Sequence, residues 1–394
     1  MTLLPQGSFG YANWLKFIEQ IPNKGTCEYP IYADAVPPVL DGGPWELGPY
    51  TLFATHVHES LRFERPSFVL RISIHLNQDD FVLPTSSSNT DSSNTDRYTG
   101  GLIHTEIASL LSLLWGTRLK IGEYNRYFDQ SHPPGSPWDD SQEYSIVVPR
   151  INRLRPLLPH LSEKKITVDQ IRKLVEFVSI SPDSSLALVK SAKLYQEAIW
   201  IAEIDPSQAW ILLVSAIETA ADYWSKANNL NTDDWEVIGN WNATLKNCLE
   251  RSNLAETELK EISDKIKELT GATRKFVNFI IQFFPNEPPN RPILSQQHDW
   301  CHSKIKKSIS LIYSYRSKAL HSGNPFPKPM CEGSHFWNGD KSLYPEIPVE
   351  IAQSGGGGSW LAKDTPMTLY LFEYIVRESL IRWWASCSTT TRLS

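Results

Sequence analysis

Arg316 and His321, in the segment Tyr315-Arg-Ser-Lys-Ala-Leu-His-Ser-Gly323, are the side chains whose types and spacing best suit chemistry. Over residues 300–321, Ile305, Ile309, Ile312 and Ala319 recur at the helical period, and Arg316 falls four residues after Ile312 and three before Ala319. An arginine therefore occupies an apolar stripe. A lone buried guanidinium is costly, so Arg316 must meet a carboxylate or face a ligand cavity. Five steps at ~100° set Arg316 and His321 roughly 140° apart on an ideal helix. Because Gly323 ends the helix just beyond His321, the two side chains are expected to converge on one pocket. The residue type of His321 suits proton transfer.

A guanidinium beside an imidazole fits one reaction class closely. RNA is cleaved when a base takes the 2′-OH proton, a cation stabilises the phosphorane-like transition state and an acid protonates the leaving 5′-oxygen. Arginine matches phosphate oxygens with its planar fork, and no metal or other cofactor is needed. Charge agrees: between residues 291 and 328, seven Lys or Arg (291, 304, 306, 307, 316, 318, 328) face one acid, Asp299, in a chain whose net charge is −6. Lys304, Lys307 and Lys318 are the expected phosphate contacts, and Tyr315, with Tyr313 and Trp300, the expected stacking surface for single-stranded RNA. A second Arg-x4-His, Arg155-Pro-Leu-Leu-Pro-His160, is set aside because Pro156 and Pro159 break any helix there.

The partner expected for Arg316 lies in the stretch 210–221, almost all apolar or small, where Glu218 is the one charged residue and shares a face with Ile211, Val214 and Ala221. The simplest pairing joins Glu218 to Arg316 across a helical bundle. Helices are expected over about 184–204, 206–226 (opened by Asp205-Pro206), 256–284, 300–321 and 367–384, which together make an all-α bundle over 184–394.

Residues 1–150 look α+β: Leu70, Ile72, Ile74 and Leu76 alternate with polar residues as in a strand, 144–148 is a second strand candidate, and 101–115 carries helical spacing closed by Gly116. A linker is expected over 151–183, a surface loop over the Ser/Thr/Asn/Asp-rich 84–99, and a flexible connection at 354–359. The chain of 394 residues, 41% of them apolar, can bury a sizeable core. Its acidic balance excludes a polycation made for non-specific nucleic-acid binding. Five Cys without CxxC spacing, no signal peptide and no ~20-residue apolar run point to a soluble, cytoplasmic protein without a membrane span.

At Leu213-Val-Ser-Ala-Ile-Glu218, at Tyr315–Gly323 and at Pro366-Met-Thr-Leu-Tyr-Leu-Phe-Glu-Tyr-Ile-Val-Arg377, the chain resembles the HEPN superfamily of helical-bundle ribonucleases, and more closely its ApeA-like branch associated with antiphage and abortive-infection systems. The resemblance spans roughly residues 184–394. It implies a metal-independent endoribonuclease of toxin type, acting on single-stranded RNA or tRNA as a homodimer whose two Arg-x4-6-His motifs face one cleft. It further implies that Arg316 orients and stabilises the scissile phosphate, that His321 serves the proton transfers or positions the 2′-OH, and that Glu218 orients Arg316. Ser317 departs from the pattern, since many active members carry Asn, Asp or His after the arginine. The N-terminal 150 residues would then sense a trigger, such as a phage product.

Two other classes stay open. A non-catalytic HEPN-like module would bind RNA or dimerise without cutting. A metal-dependent hydrolase would need ligands, and the histidine pairs His298/His302, which would share a helical face, and His56/His58, which would share a strand face, each lack an evident third ligand.

Overall fold

The computed structural model describes residues 7–36, 43–55, 65–77, 80, 98–128, 154–162, 164–228, 243–252, 254–334, 344–348, 352–355 and 357–390. Its first half is α+β. The long strand β1 (Gly25–Ala33) pairs antiparallel with β5 (Phe68–Ile74), from Gly25 opposite Ile74 to Ile31 opposite Phe68. The sheet continues through β4 (Tyr50–Ala54) to β3 (Trp45–Leu47). On the other edge of β1, β6 (Leu119–Ile121) and β7 (Arg126–Phe128) pair with successive stretches. The alternation read at 70–76 places Leu70 and Ile72 inside and turns Arg71 toward Glu28 on β1, where Arg126 joins it at 2.9 Å. The strand candidate 144–148, the stretch 84–97 and the pair His56/His58 lie outside the described residues.

Two helices cover the sheet. At the start of α1 (Phe9–Ile18), the Ser8 hydroxyl accepts from the Tyr11 amide. The buried carboxyl of Glu106, on α2 (Ile103–Trp115), accepts the Gly10 amide at 2.6 Å and the Phe9 amide at 3.3 Å, so its oxygens satisfy the amide end of α1 while burial pushes the carboxyl above the usual range. Gly116 ends α2 in the left-handed region at φ 57°. A Cβ there would sit 2.4 Å from Arg377 Nε, so glycine is required for both conformation and space. Arg377 itself donates to the Leu113 and Leu114 carbonyls, satisfying the end of α2.

The stretch expected as a linker is folded wherever it is described. After a short 3-10 turn (Pro159–Leu161), β8 (Lys164–Lys165) pairs in parallel with β2 (Ala35–Val36), and α3 (Val168–Arg172) opens with a Thr167/Gln170 capping box. Leu157, Leu158, Leu161, Ile166, Ile171, Leu174, Phe177 and Ile180 are all buried in the apolar core that also holds Phe68, Trp115, Tyr195 and Trp384. Prolines and irregular spacing hide this stretch from a periodicity reading, yet its apolar residues fill the seam between the halves.

The helical half follows the expected order: α4 (Pro182–Ile201), α5 (Pro206–Ala227), α7 (Glu256–Gln282), α8 (His302–Ser322) and α9 (Leu369–Thr390), with a short α6 (Ala243–Glu250) between α5 and α7. Asp205 caps α5 through the Gln208 amide at 2.9 Å, with Pro206 at the first helical position. Where the glycine run was expected as a flexible connection, β9 (Ala352–Gly355) pairs antiparallel with β10 (Gly358–Leu361). No helix among the described residues is long and apolar enough to cross a membrane.

Two buried polar links register the halves. Arg118, fully buried just before β6, donates to Glu203 at 3.0 Å, to Asp34 at 3.4 Å, to Ser162 and to the Ile199 carbonyl. Tyr195 on α4 donates to Glu373 on α9 at 2.5 Å, and the other oxygen of Glu373 meets His160 Nε2 at 2.6 Å. His160, from the second Arg-x4-His, is therefore a lock inside the seam. Removing Arg118 leaves two carboxylates facing each other in the interior: Arg118→Ala is expected to lower the unfolding free energy by about 3–5 kcal/mol in urea titrations.

His104 on α2 stacks on Tyr29 at 4.3 Å, and burial pulls its imidazole down to about 4. The folded chain disfavours its cation, whereas the unfolded chain takes up the proton near pH 6.5, so this contribution to stability is present above pH 6.5 and is lost as the pH falls toward 4. His104→Phe keeps the stacked ring. Its urea midpoint is expected to fall by less than that of the wild type between pH 7 and pH 4.5.

Candidate active site

The site lies where α5, α7 and α8 meet. Helix α8 buries Ile305, Ile309 and Ile312, and the same face carries Arg316 inward. There Arg316 Nη2 donates to Glu218 Oε2 at 2.6 Å, so the two lone charges of the apolar stripes pair as expected. Both side chains remain about one-fifth exposed, at 20% and 21%, and the pair opens to solvent. Arg316 Nε is enclosed without an acceptor among the described residues.

A third residue completes the cluster. Tyr313, one turn before Arg316, donates its hydroxyl to Glu218 Oε1 at 2.7 Å. Its ring packs against Phe276 at 5.1 Å and lies 5.8 Å from the Arg316 guanidinium carbon. Burial, reinforced by the Glu218 carboxylate, pushes the Tyr313 phenol up and keeps it a donor. The i, i+3 spacing of Tyr313 and Arg316 was the sequence signal for this role, because those positions share a helix face.

His321 does not join them. Helix α8 stays regular to Ser322, and Gly323, left-handed at φ 66°, turns the chain only after both residues have been placed. The expected convergence therefore fails within one chain: Arg316 turns to Glu218, and His321 is exposed one and a half turns on, with no hydrogen bond or ion pair to a described residue. Ser317 is half-buried.

Lys304, Lys307 and Lys318 are exposed on the outer side of α8, as is Lys306. The expected stacking residues are largely taken up by the fold. Tyr313 is 8% exposed, the Tyr315 hydroxyl donates to the Asp364 carbonyl at 2.7 Å while its ring packs on Phe326, and the half-buried Trp300 donates to the Pro285 carbonyl at 3.2 Å. What the Tyr315 ring does offer is a platform for its neighbour, with Lys318 Nζ 5.7 Å from its centre.

The His298/His302 pair loses its premise. His298 precedes α8 and is buried, its Nδ1 donating to the Asp299 carbonyl and its Nε2 accepting from Ser308, each at 2.8 Å, so neither nitrogen is available to a metal. Burial also lowers its affinity for a proton. No group of three or more potential metal ligands occurs among the described residues.

Compared with family models, with curated proteins and with solved structures, the chain matches none. The site therefore stands on its own geometry. A double-mutant cycle with Arg316→Ala and Glu218→Ala is expected to give a coupling of about 1 kcal/mol in chemical unfolding, modest because the pair is partly solvated. A coupling of zero would contradict the pairing.

Proposed function

We propose that the chain is a metal-independent endoribonuclease of a prokaryotic antiphage or toxin-type system, with Arg316 on the scissile phosphate and His321 in the proton transfers. The observation that carries this reading is Arg316: a guanidinium set in an otherwise apolar stripe, held by Glu218 at 2.6 Å with both side chains about one-fifth exposed, and with an exposed imidazole five residues on. That arrangement supplies a phosphate-matching cation and a proton carrier without a metal. The resemblance at Leu213–Glu218 and Tyr315–Gly323 supports the same class.

Since Arg316 and His321 look in different directions on one helix, the proposed site is composite, formed by two copies in a homodimer. The exposed Lys304, Lys307 and Lys318 supply phosphate contacts, and with Tyr313 and Trp300 tied into the fold, recognition rests on the RNA backbone more than on base stacking. The sheet-bearing half, in this reading, receives the trigger, and the protein works in the cytoplasm. The separation of Arg316 from His321 also favours a second reading, a module that binds RNA or dimerises without cutting it.

Purified wild type, Arg316→Ala and His321→Ala incubated with tRNA and single-stranded RNA in excess EDTA separate the two. Cleavage by the wild type alone, leaving 2′,3′-cyclic phosphate ends and falling at least 100-fold in either variant, is the expected result. RNA binding that weakens steeply with salt, with no cut ends even in infected-cell extract, would favour the module.

A further inference from the structure

Resting on the reading of Arg316 as the phosphate-binding residue, the geometry points to Glu218 as an intramolecular latch that occupies Arg316 in place of the RNA phosphate, with Tyr313 as the bolt that holds the latch shut. A guanidinium grips a phosphate at two points through Nε and Nη2 or through Nη1 and Nη2. Arg316 Nε is sealed from solvent without an acceptor among the described residues, and Nη2, common to both edges, is drawn onto Glu218 at 2.6 Å. While that contact stands, neither edge is free for a two-point grip.

The carboxylate is fixed in its turn. Its second oxygen accepts from Tyr313 at 2.7 Å, and the Tyr313 ring is wedged against Phe276, so Glu218 is aimed at the arginine by a buried phenol. An incoming phosphodiester must displace a like charge of the same geometry, and like charges at contact distance repel. The enclosed Nε shows that the closed arrangement leaves a donor unsatisfied, a cost that outward rotation of the arginine onto a phosphate would remove. The pair is one-fifth exposed, so a ligand can reach it without unfolding the bundle.

This separates charge from orientation. Glu218→Gln keeps one oxygen for Arg316 and turns its amide NH2 to the Tyr313 hydroxyl oxygen, which can accept it, but removes the competing charge, and Tyr313→Phe keeps the ring but draws the bolt. Binding of the full-length variants to a fluorescein-labelled, uncleavable 2′-O-methyl oligonucleotide is followed by anisotropy, with thermal melts to check that each variant is folded. The latch requires Glu218→Gln to bind about tenfold tighter than wild type, Tyr313→Phe to bind severalfold tighter, and Arg316→Ala to abolish both gains. If Arg316→Ala weakens binding while both other variants bind as wild type or more weakly, Glu218 only orients Arg316, and the latch is overturned with the nuclease reading intact. If Arg316→Ala binds as tightly as wild type, the reading of Arg316 fails, and the latch fails with it.

Discussion

A guanidinium with no access to water must be surrounded by acceptors, and Arg118 gathers its set from every part of the seam. Asp34 comes from the end of the central strand, Ser162 from the stretch once expected as a linker, and Glu203 and the Ile199 carbonyl from the end of α4. Glu203 in turn accepts the backbone amides of Leu157 and Leu158. One buried cation thus fixes where the sheet, the 154–180 segment and the first bundle helix meet. Such a network adds little net stability over an apolar filling, but it tolerates only one registration of its parts, because any other leaves a charge unpaired in the interior.

The candidate site depends on that registration at one remove. Helix α4 carries Tyr195, which with Glu373 and His160 ties α4 to α9, and α5 packs between α4 and α7 while Trp210 stacks on Phe372 of α9. Glu218 sits two turns beyond Trp210 on the same helix. Its distance to Arg316 is therefore set by packing on the apolar side of α5, where Ala216, Ile217, Ala220 and Ala221 are almost wholly buried. Small residues let the neighbouring helices approach, and the one long acidic side chain reaches out at the rim.

Much of this was readable from residue types. Arg316 and Glu218 each broke an apolar stripe, and a desolvated charge needs a partner, so their pairing followed from the two patterns. Helix ends marked by Asp205-Pro206, Gly116 and Gly323 were equally plain, because each residue has a conformational reason to stand there. Other features depended on contacts that spacing does not encode. The pairing of β1 with β5 joins residues 37 to 49 apart, and the burial of Leu157, Phe177 and Ile180 depends on a surface made by other elements. The placement of His321 away from Arg316 within one chain was not legible for a local reason: the glycine that ends α8 acts two residues too late to bend the histidine toward Arg316.

Arg377 carries a consequence for synthesis. The carbonyls at the end of α2 are satisfied by a side chain that lies some 260 residues further along the chain. A ribosome releases the N-terminal half long before that arginine exists, so the growing chain must hold α2 with the Leu113 and Leu114 carbonyls lacking that partner and an open apolar flank throughout elongation. Closure belongs to the last stage of translation, and a polypeptide truncated before α9 would carry that open seam as a permanent adhesive surface.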